Sequence, residues 1–433
     1  MNIVFVTPEF ITEKENGGLG TYVFNMSTIL SKMGHHVIVI VESTKSEDFY
    51  FNEKILIMRV EIDYSVVNTK IPTSIYRRRI SALNRRLKEI IDKNYRIDVV
   101  QYPNYFALAL ERPAIPCIVR VSSDAPLLRA ANRLDFDTGR KYDCSRPVDY
   151  LEDIALMNAD AVFGPSVYIN SIIRDRTGKR IETIESPSLI DEMIGGDKNR
   201  LPKCIEGKKF ILTFGTLAPY KGICTIGRSI FDVLSASRDV CWAFAGRRDG
   251  WRNSDGGYID SVDYLIECAK DYSDRVVYLG KVDRNSLKNI IIASLFCVLP
   301  SQAENFSNAC IEAMSRNKVV IGTRDAGFDQ LIEDGQNGFL INAGDNHMLV
   351  KTVLRVLNAD KNRLKEIEEC AGKVKDRLNP IVISERVLDI YKRTKTMNKR
   401  YSNIEYYTKI VRKYNESLLA CGEPYSEVEK LLL

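Results

Sequence analysis

Two glutamates, Glu304 and Glu312, stand eight residues apart in the segment with the clearest chemical pattern. A buried strand is predicted to end at Leu299, a turn follows, and Ser307 or Asn308 is a good N-cap for the next helix. With part of the spacing helical, the carboxylates would lie on the order of 10 Å apart. That is too wide for a pair sharing one proton and suits two hydroxyl-bearing parts of one extended ligand. Because a carboxylate accepts hydrogen bonds from vicinal diols, the natural assignment is a sugar at one end and a ribose at the other, with phosphates at the helix start between them.

A glycine-rich loop and a lysine offer positive potential near two other strand ends. Gly17, Gly18 and Gly20 precede a predicted helix whose apolar residues recur at helical spacing. Missing side chains allow close backbone approach, and the free N–H groups of a helix start favour a phosphate. The alternative is a tight turn that needs positive φ. Lys221 follows the first strand of the second half, where it would either reach a diphosphate as a mobile charge or lie in a solvated loop.

The composition excludes several classes of protein. The chain has 433 residues with a net charge of +5, from 62 basic and 57 acidic side chains. This balance is too weak to predict a nucleic-acid partner. The longest apolar run, residues 290–299, is too short to cross a membrane, and the start of the chain lacks the features of a secretory signal. A cytoplasmic protein is expected.

No metal or other cofactor is expected. The ten cysteines include no C-x-x-C pair and do not cluster with the three histidines, which argues against a zinc site and against a disulfide framework. Cys117, Cys241 and Cys297 lie in apolar runs and are predicted to be buried free thiols. Asp135 and Asp137 match a D-x-D metal-binding pattern, but without a preceding hydrophobic strand they are interpreted as surface residues.

Short β-branched runs alternate with amphipathic stretches, which predicts parallel sheets built from βαβ units. The fold class is therefore α/β, with two Rossmann-like doubly wound domains at residues 1–200 and 208–385 and a polar linker at 195–203. A helical region, 386–433, is expected to pack back on the first domain. The predicted strands are residues 3–7, 37–42, 98–102, 117–121 and 161–164 in the first domain, and 210–214, 242–245, 276–279, 295–299, 319–322 and 338–341 in the second.

These motifs together resemble the retaining nucleotide-sugar glycosyltransferases of the GT-B fold, specifically glycosyltransferase family 4 (group 1 type). The similarity extends over roughly residues 1–390, and its motifs occur in the family's order. The matching segments are 17–20, 34–37, 98–103, 159–166, 215–222, 304–312 and 322–340.

The resemblance implies two domains that face an interdomain cleft, with the acceptor side in the first and the donor in the second. Glu304 would hold hydroxyls of the donor sugar, Glu312 the ribose, and Lys221 the diphosphate. Gly17 and Gly18 would approach from the opposite domain. The backbone of Asn305, Phe306, Ser307 and Asn308 would face the phosphates.

The implied reaction transfers a sugar from a UDP- or GDP-sugar to a hydroxyl of a glycan or lipid-linked glycan, as in polysaccharide biosynthesis, with retained configuration and without a metal. Three positions depart from the family. Thr216 stands where an arginine is common at the diphosphate, Ser122 where a histidine is common, and Gln330 where a glutamate is common. A serine can donate a hydrogen bond to the donor sugar but cannot carry positive charge. Arg120, Arg247 or Arg248 would supply the missing charge.

These departures keep two rival functions open. The first is a catalytically silent relative that binds a nucleotide-sugar or glycan, or acts as a scaffold. The second is a GT-B enzyme of another reaction, such as a glycogen-synthase-like polymerase or an epimerase.

A basic amphipathic segment has two interpretations. Arg77, Arg78, Arg79 and further cations up to Arg96 alternate with apolar residues at helical spacing. Such a helix would rest on the inner face of an anionic membrane as a peripheral contact, or present a solvated face.

Overall fold

A computed structural model describes residues 1–13, 17–52, 54–67, 74–133, 147–188, 201–253 and 256–396. The predicted surface pair Asp135 and Asp137, most of the 195–203 linker and residues 397–433 of the predicted helical region lie outside the described residues.

Strands and helices alternate along the described chain, as the pattern of apolar runs predicts. Up to residue 183 the elements are β1 (Asn2–Thr7), α1 (Gly18–Lys32), β2 (His36–Ser43), β3 (Glu47–Phe51), β4 (Ile55–Glu61), α2 (Ser74–Asp92), β5 (Val99–Pro103), β6 (Cys117–Arg120), α3 (Ala125–Arg133), α4 (Pro147–Met157), β7 (Ala161–Gly164), α5 (Val167–Thr177) and β8 (Glu182–Thr183). From residue 209 they are β9 (Lys209–Phe214), α6 (Ile223–Ala236), β10 (Val240–Ala245), β11 (Gly250–Arg252), β12 (Tyr258–Asp260), α7 (Ser261–Ala269), β13 (Val276–Gly280), α8 (Arg284–Ala293), β14 (Cys297–Val298), α9 (Asn308–Met314), β15 (Val320–Thr323), β16 (Phe339–Ile341), α10 (Asn346–Leu357), α11 (Lys361–Gly372), α12 (Val374–Arg377) and α13 (Pro380–Thr396). Short 3-10 helices occupy Tyr105–Ala107, Pro219–Lys221 and Lys270–Arg275.

The chain divides into two compact units. Of the described residues, unit 1 contains those in 1–126, 147–187 and 379–396, and unit 2 contains those in 127–133 and 188–378. The return to unit 1 thus occurs at residue 379, before the boundary expected at 386.

Unit 1 is built on an eight-stranded sheet of order β3-β4-β2-β1-β5-β6-β7-β8. All neighbouring strands are parallel except the edge pair β3 and β4, which is antiparallel. The residues of β1 from Ile3 to Val6 are at most 1% exposed, because helices cover both faces of the sheet's centre. Helix α13 packs here: its Tyr391 hydroxyl donates to Gln101 of β5, and Arg386 Nη2 donates to the Thr183 carbonyl at 3.0 Å.

Unit 2 is built on a parallel six-stranded sheet of order β13-β10-β9-β14-β15-β16. Alternate residues of β9 enter different cores: Phe210, Leu212 and Phe214 pack on one face and Ile211 on the other. Trp242 of β10 is fully buried. The predicted fold class, two Rossmann-like parallel-sheet domains, is confirmed.

The basic segment forms a helix, α2, but its apolar stripe is not available to a membrane. Ile80, Leu83 and Leu87 are 0% exposed because they pack in the core of unit 1. Arg79 forms an ion pair with Glu42, and Arg86 forms ion pairs with Asp48 and Glu89. Part of the positive charge of α2 is therefore neutralised within the unit. The solvated-face interpretation therefore fits the structure better. No helix among the described residues has both the length and the apolar content needed to cross a bilayer.

The predicted buried thiols are confirmed. Cys117, Cys241 and Cys297 are buried and form no disulfide. Burial raises the pKa of Cys117 and of Cys297 to about 12, so both stay protonated at neutral pH.

Candidate functional site

The predicted residues divide between the two units, and each set is described by itself. In unit 2, Lys221 ends the 3-10 turn after β9, residues 299–307 follow β14, and 324–328 follow β15. These three strands are neighbours and parallel, so the loops at their carboxyl ends lie along one edge of the sheet. Topology thus brings together Lys221 and Glu304, which are 83 residues apart in sequence.

Lys221 and Glu304 form an ion pair at this edge. Their side chains are 28% and 13% exposed, and Ser301 Oγ donates to the same Glu304 Oε1 at 3.0 Å. Burial opposes the charge of the Lys221 ammonium, but the charge of Glu304, with Tyr220 and the hydrogen bond, outweighs it and raises the pKa of Lys221. The lysine is therefore charged at neutral pH and held at a partly open edge, where a phosphate can compete for it.

Backbone contacts fix the two loops that carry this pair. Glu304 N–H donates to the Ala326 carbonyl at 2.9 Å, and Gln302 N–H to the Tyr220 carbonyl at 2.8 Å. Gly222 has φ +82°, and a Cβ there would lie 2.0 Å from the Pro300 carbonyl oxygen. Only glycine allows the lysine loop to approach the glutamate loop this closely.

The helix predicted to follow Glu304 is confirmed. It is α9, capped by Ser307, whose Oγ accepts from Cys310 N–H at 3.3 Å. Thr216 lies half-buried in the turn after β9, and Asn308 is half-buried at the start of α9. Phe306 is 7% exposed because its ring packs into the sheet core and fixes the loop before the helix.

Glu312 lies in α9 and is the residue predicted to bind the second diol, that of the ribose. Burial raises its pKa, and Arg316 and Arg284 only partly oppose this shift. A carboxyl group that is costly to ionise gains from hydrogen-bond donors, and a ribose diol is such a donor pair.

In unit 1 the backbone N–H groups of the glycine loop bind a carboxylate of the protein itself, that of Glu9. Gly17 N–H donates to Glu9 Oε2 at 2.8 Å and Gly20 N–H to the same atom at 3.4 Å. The tight-turn alternative is wrong, since Gly17 has φ −131° and neither Gly18 nor Gly20 has positive φ. Close approach explains the glycine better, because a Cβ at Gly17 would lie 3.2 Å from the Glu9 carboxylate. Nothing in the sequence pattern singles out Glu9.

Ser122 follows β6 and is held by a residue that sequence reasoning missed. Asn104, after the neighbouring β5, accepts from Ser122 N–H at 2.7 Å and donates to the Ser123 carbonyl at 2.7 Å. The signal in the sequence that could have identified Asn104 is its position directly after a strand.

The three candidate cations have different partners. Arg120 Nη1 donates to Ser122 Oγ at 3.2 Å. Arg248 forms ion pairs with Asp260 and Asp263. Arg247 is 66% exposed and lies 3.9 Å from Asp249.

A buried carboxyl group supports the strained turn after β5. Phe106 and Ala107 have φ +62° and +54°, and Glu152 accepts from Phe106 N–H at 3.0 Å. Burial raises the pKa of Glu152 well above its ordinary value, and the nearby Asp149 and Asp124 add to the shift. The folded state therefore holds a proton that the unfolded chain releases from about pH 4.5 upward.

This gives a pH-dependent stability prediction for Glu152→Gln. A group whose pKa is raised by folding contributes stability that is fully present below its pKa in the unfolded chain. That stability is lost as pH rises through its pKa in the folded protein. Glutamine keeps the acceptor for Phe106 but has no proton to lose. We expect the thermal midpoint of the variant to exceed that of the wild type by a margin that grows between pH 5 and 8, reaching at least about 2 °C. Asp175→Asn, at an exposed acid of the same unit, is the control, and an equal pH slope in wild type and Glu152→Gln would contradict the expectation.

Comparisons with known proteins agree with the fold. The family model for Glycosyltransferase Family 4 matches residues 16–187, and the model for Glycosyl transferases group 1 matches 208–359. An uncharacterized glycosyltransferase of Bacillus subtilis is 20% identical over 91% of this chain and 98% of its own length. The UDP-Gal:alpha-D-GlcNAc-diphosphoundecaprenol alpha-1,3-galactosyltransferase of Escherichia coli is 28% identical over 32% of this chain and 35% of its own. Sucrose-phosphate synthase from Thermosynechococcus elongatus superposes with a TM-score of 0.69 at 17% identity, over 90% of this chain and 98% of that one.

Proposed function

Because the chain belongs to the GT-B glycosyltransferases, with a family 4 domain followed by a group 1 domain, we propose that it moves a sugar from a nucleoside-diphosphate donor to a hydroxyl of a glycan or lipid-linked glycan, with retained configuration. The observation that carries the donor assignment is the Lys221–Glu304 pair at the carboxyl edge of the unit 2 sheet. The E. coli relative, whose name specifies a UDP-sugar and a diphosphoundecaprenol-linked acceptor, supports both ends of the proposal.

The proposed roles follow from charge and position. The diphosphate replaces Glu304 as the ion-pair partner of the Lys221 ammonium. The Glu304 carboxylate then accepts hydrogen bonds from hydroxyls of the transferred sugar. Glu312 accepts from the ribose, and the backbone from Asn305 to Asn308 faces the phosphates. The leaving diphosphate is stabilised by the fixed ammonium and by helix-start N–H groups, and this electrostatic contribution is the main source of rate. Since these groups supply positive charge, we propose that turnover needs no metal.

A thermal-shift panel of UDP-, GDP-, ADP- and dTDP-sugars tests the donor. A donor at a hundred times its dissociation constant stabilises the folded state by about 2.7 kcal/mol, which is measurable as a shift of several degrees. We expect one nucleotide class to give this shift, and donor turnover with that class to persist in EDTA. Retention is checked by the anomeric configuration of the product. Binding without turnover would instead support the catalytically silent alternative, and no shift with any donor would contradict the proposal.

A further inference from the structure

Arg120 is a buried cation that makes no ion pair with any carboxylate of the described residues. It is 5% exposed at the end of β6. Its guanidinium lies over the Tyr22 ring, 3.6 Å from the centroid, and donates to Ser122 Oγ at 3.2 Å and Ser186 Oγ at 2.8 Å. Its Nε is buried without a hydrogen-bond partner in the described part of the chain. Within the part of the chain that the structure describes, the side chain therefore contacts neutral groups.

Such an arrangement is costly for a protein that needs only packing at this place. A buried charge normally has an opposite charge beside it, and two neutral hydroxyls and one aromatic ring compensate it in part. Burial accordingly lowers the pKa of Arg120, although an arginine remains charged in a protein. Costly unsatisfied groups of this kind are typical of functional sites.

The hydrogen bond to Ser122 shows what the charge does. Arg120 Nη1 occupies a lone pair of the Ser122 oxygen, which leaves the hydroxyl proton to be donated. Within unit 1 the acceptor for that proton is the Arg120 carbonyl, at a long 3.4 Å. A hydroxyl that accepts from a cation is polarised and becomes a stronger donor. Asn104 fixes the backbone that carries this hydroxyl.

We infer that Arg120 is a positioning residue for the transfer reaction, which orients and polarises the Ser122 hydroxyl as a donor toward the transferred sugar. The inference rests on the proposed function. Arg120 and Ser122 together provide, at the carboxyl end of β6, a charge that does not titrate near neutral pH.

A double-mutant cycle tests this inference with Arg120→Met, Ser122→Ala and the double variant, assayed with the donor that the panel identifies. We expect each single variant to lower kcat by about 10- to 100-fold, while the donor KM stays within about 3-fold. The double variant should be no more than about 3-fold worse than Ser122→Ala, because Arg120 acts through that hydroxyl. Arg120→Lys, which keeps the charge, should retain part of the activity.

Ser186→Ala is the matched control, because it removes the other hydroxyl that Arg120 contacts. We expect its kcat within about 3-fold of wild type. Since a methionine replaces an uncompensated buried charge, Arg120→Met should keep or raise the thermal midpoint. If Arg120→Met fails to fold, Arg120→Lys with Ser122→Ala forms the same cycle.

The outcomes separate the two proposals. Multiplicative losses in the double variant, or an unchanged kcat in Arg120→Met, would overturn the role of Arg120 and leave the transferase proposal standing. A fall in thermal midpoint of the same size in Arg120→Met and Ser186→Ala, with equal changes in kcat, would assign Arg120 a purely structural role. Absence of turnover by the wild type with every donor would reject the proposed function itself, and this inference with it.

Discussion

Glu304→Ala and Glu304→Gln are both expected to lower sugar transfer by more than about 10-fold while the protein stays folded. The carboxylate holds Lys221 and accepts from Ser301 before a donor binds, and in the proposed reaction it then accepts from the transferred sugar. Glutamine preserves size and one acceptor but not the charge. The loss should therefore appear in kcat with the donor identified by thermal shift.

The stability of these variants distinguishes a catalytic loss from misfolding. Both members of the pair are partly exposed, so removing one charge should change the thermal midpoint by only a few degrees. Glu333→Gln, at an exposed glutamate of the same unit, is the matched control and should transfer sugar like the wild type. Wild-type turnover in Glu304→Ala would remove Glu304 from the site.

The sequence predicts the repeated elements of this fold well because their physics is local. Apolar runs bounded by turns locate most parallel strands of both sheets, and N-cap chemistry locates the start of α9 within one residue. The predicted strand at 295–299 is shorter than expected, since only Cys297 and Val298 pair in it.

The two edge strands of the unit 1 sheet, β3 and β8, the neighbouring β4 and the β11–β12 hairpin are absent from the prediction. The β3 residues alternate between half-buried and exposed positions, and β8 and the β11–β12 hairpin have three residues or fewer per strand. Such segments carry too weak an apolar signal to be recognised, and β4 lies beside the antiparallel edge, outside the regular βαβ alternation.

The supporting residues of the candidate site show a different limit. Glu9 and Asn104 act on groups that are 8 and 18 residues away, respectively. Local spacing contains no information on which side chains meet across a sheet edge. Residue type and position after a strand predicted the charged candidates, Lys221 and Glu304, whereas the groups that hold Gly17 and Ser122 became visible only through the fold.

Gly222→Ala is expected to impair both stability and transfer, because it changes the contact between the two loops that carry Lys221 and Glu304. Alanine at φ +82° is strained, and its Cβ would collide with the Pro300 carbonyl, which belongs to the backbone and cannot rotate away. We expect a loss of about 2–5 kcal/mol in the free energy of unfolding, from backbone strain and overpacking together. Separation of the loops by about 1 Å would also lower kcat/KM by about 100-fold.

Gly207→Ala isolates the contribution of the backbone angle. Gly207 has φ +72° in the same unit, but no atom lies within 4 Å of its added Cβ. That variant should lose only about 1 kcal/mol and keep its activity, since it has strain without a collision. Chemical denaturation and donor kinetics on both variants measure the difference. Equal losses of stability and activity in Gly222→Ala and Gly207→Ala would show that the positive φ, and not the collision with Pro300, accounts for the effect.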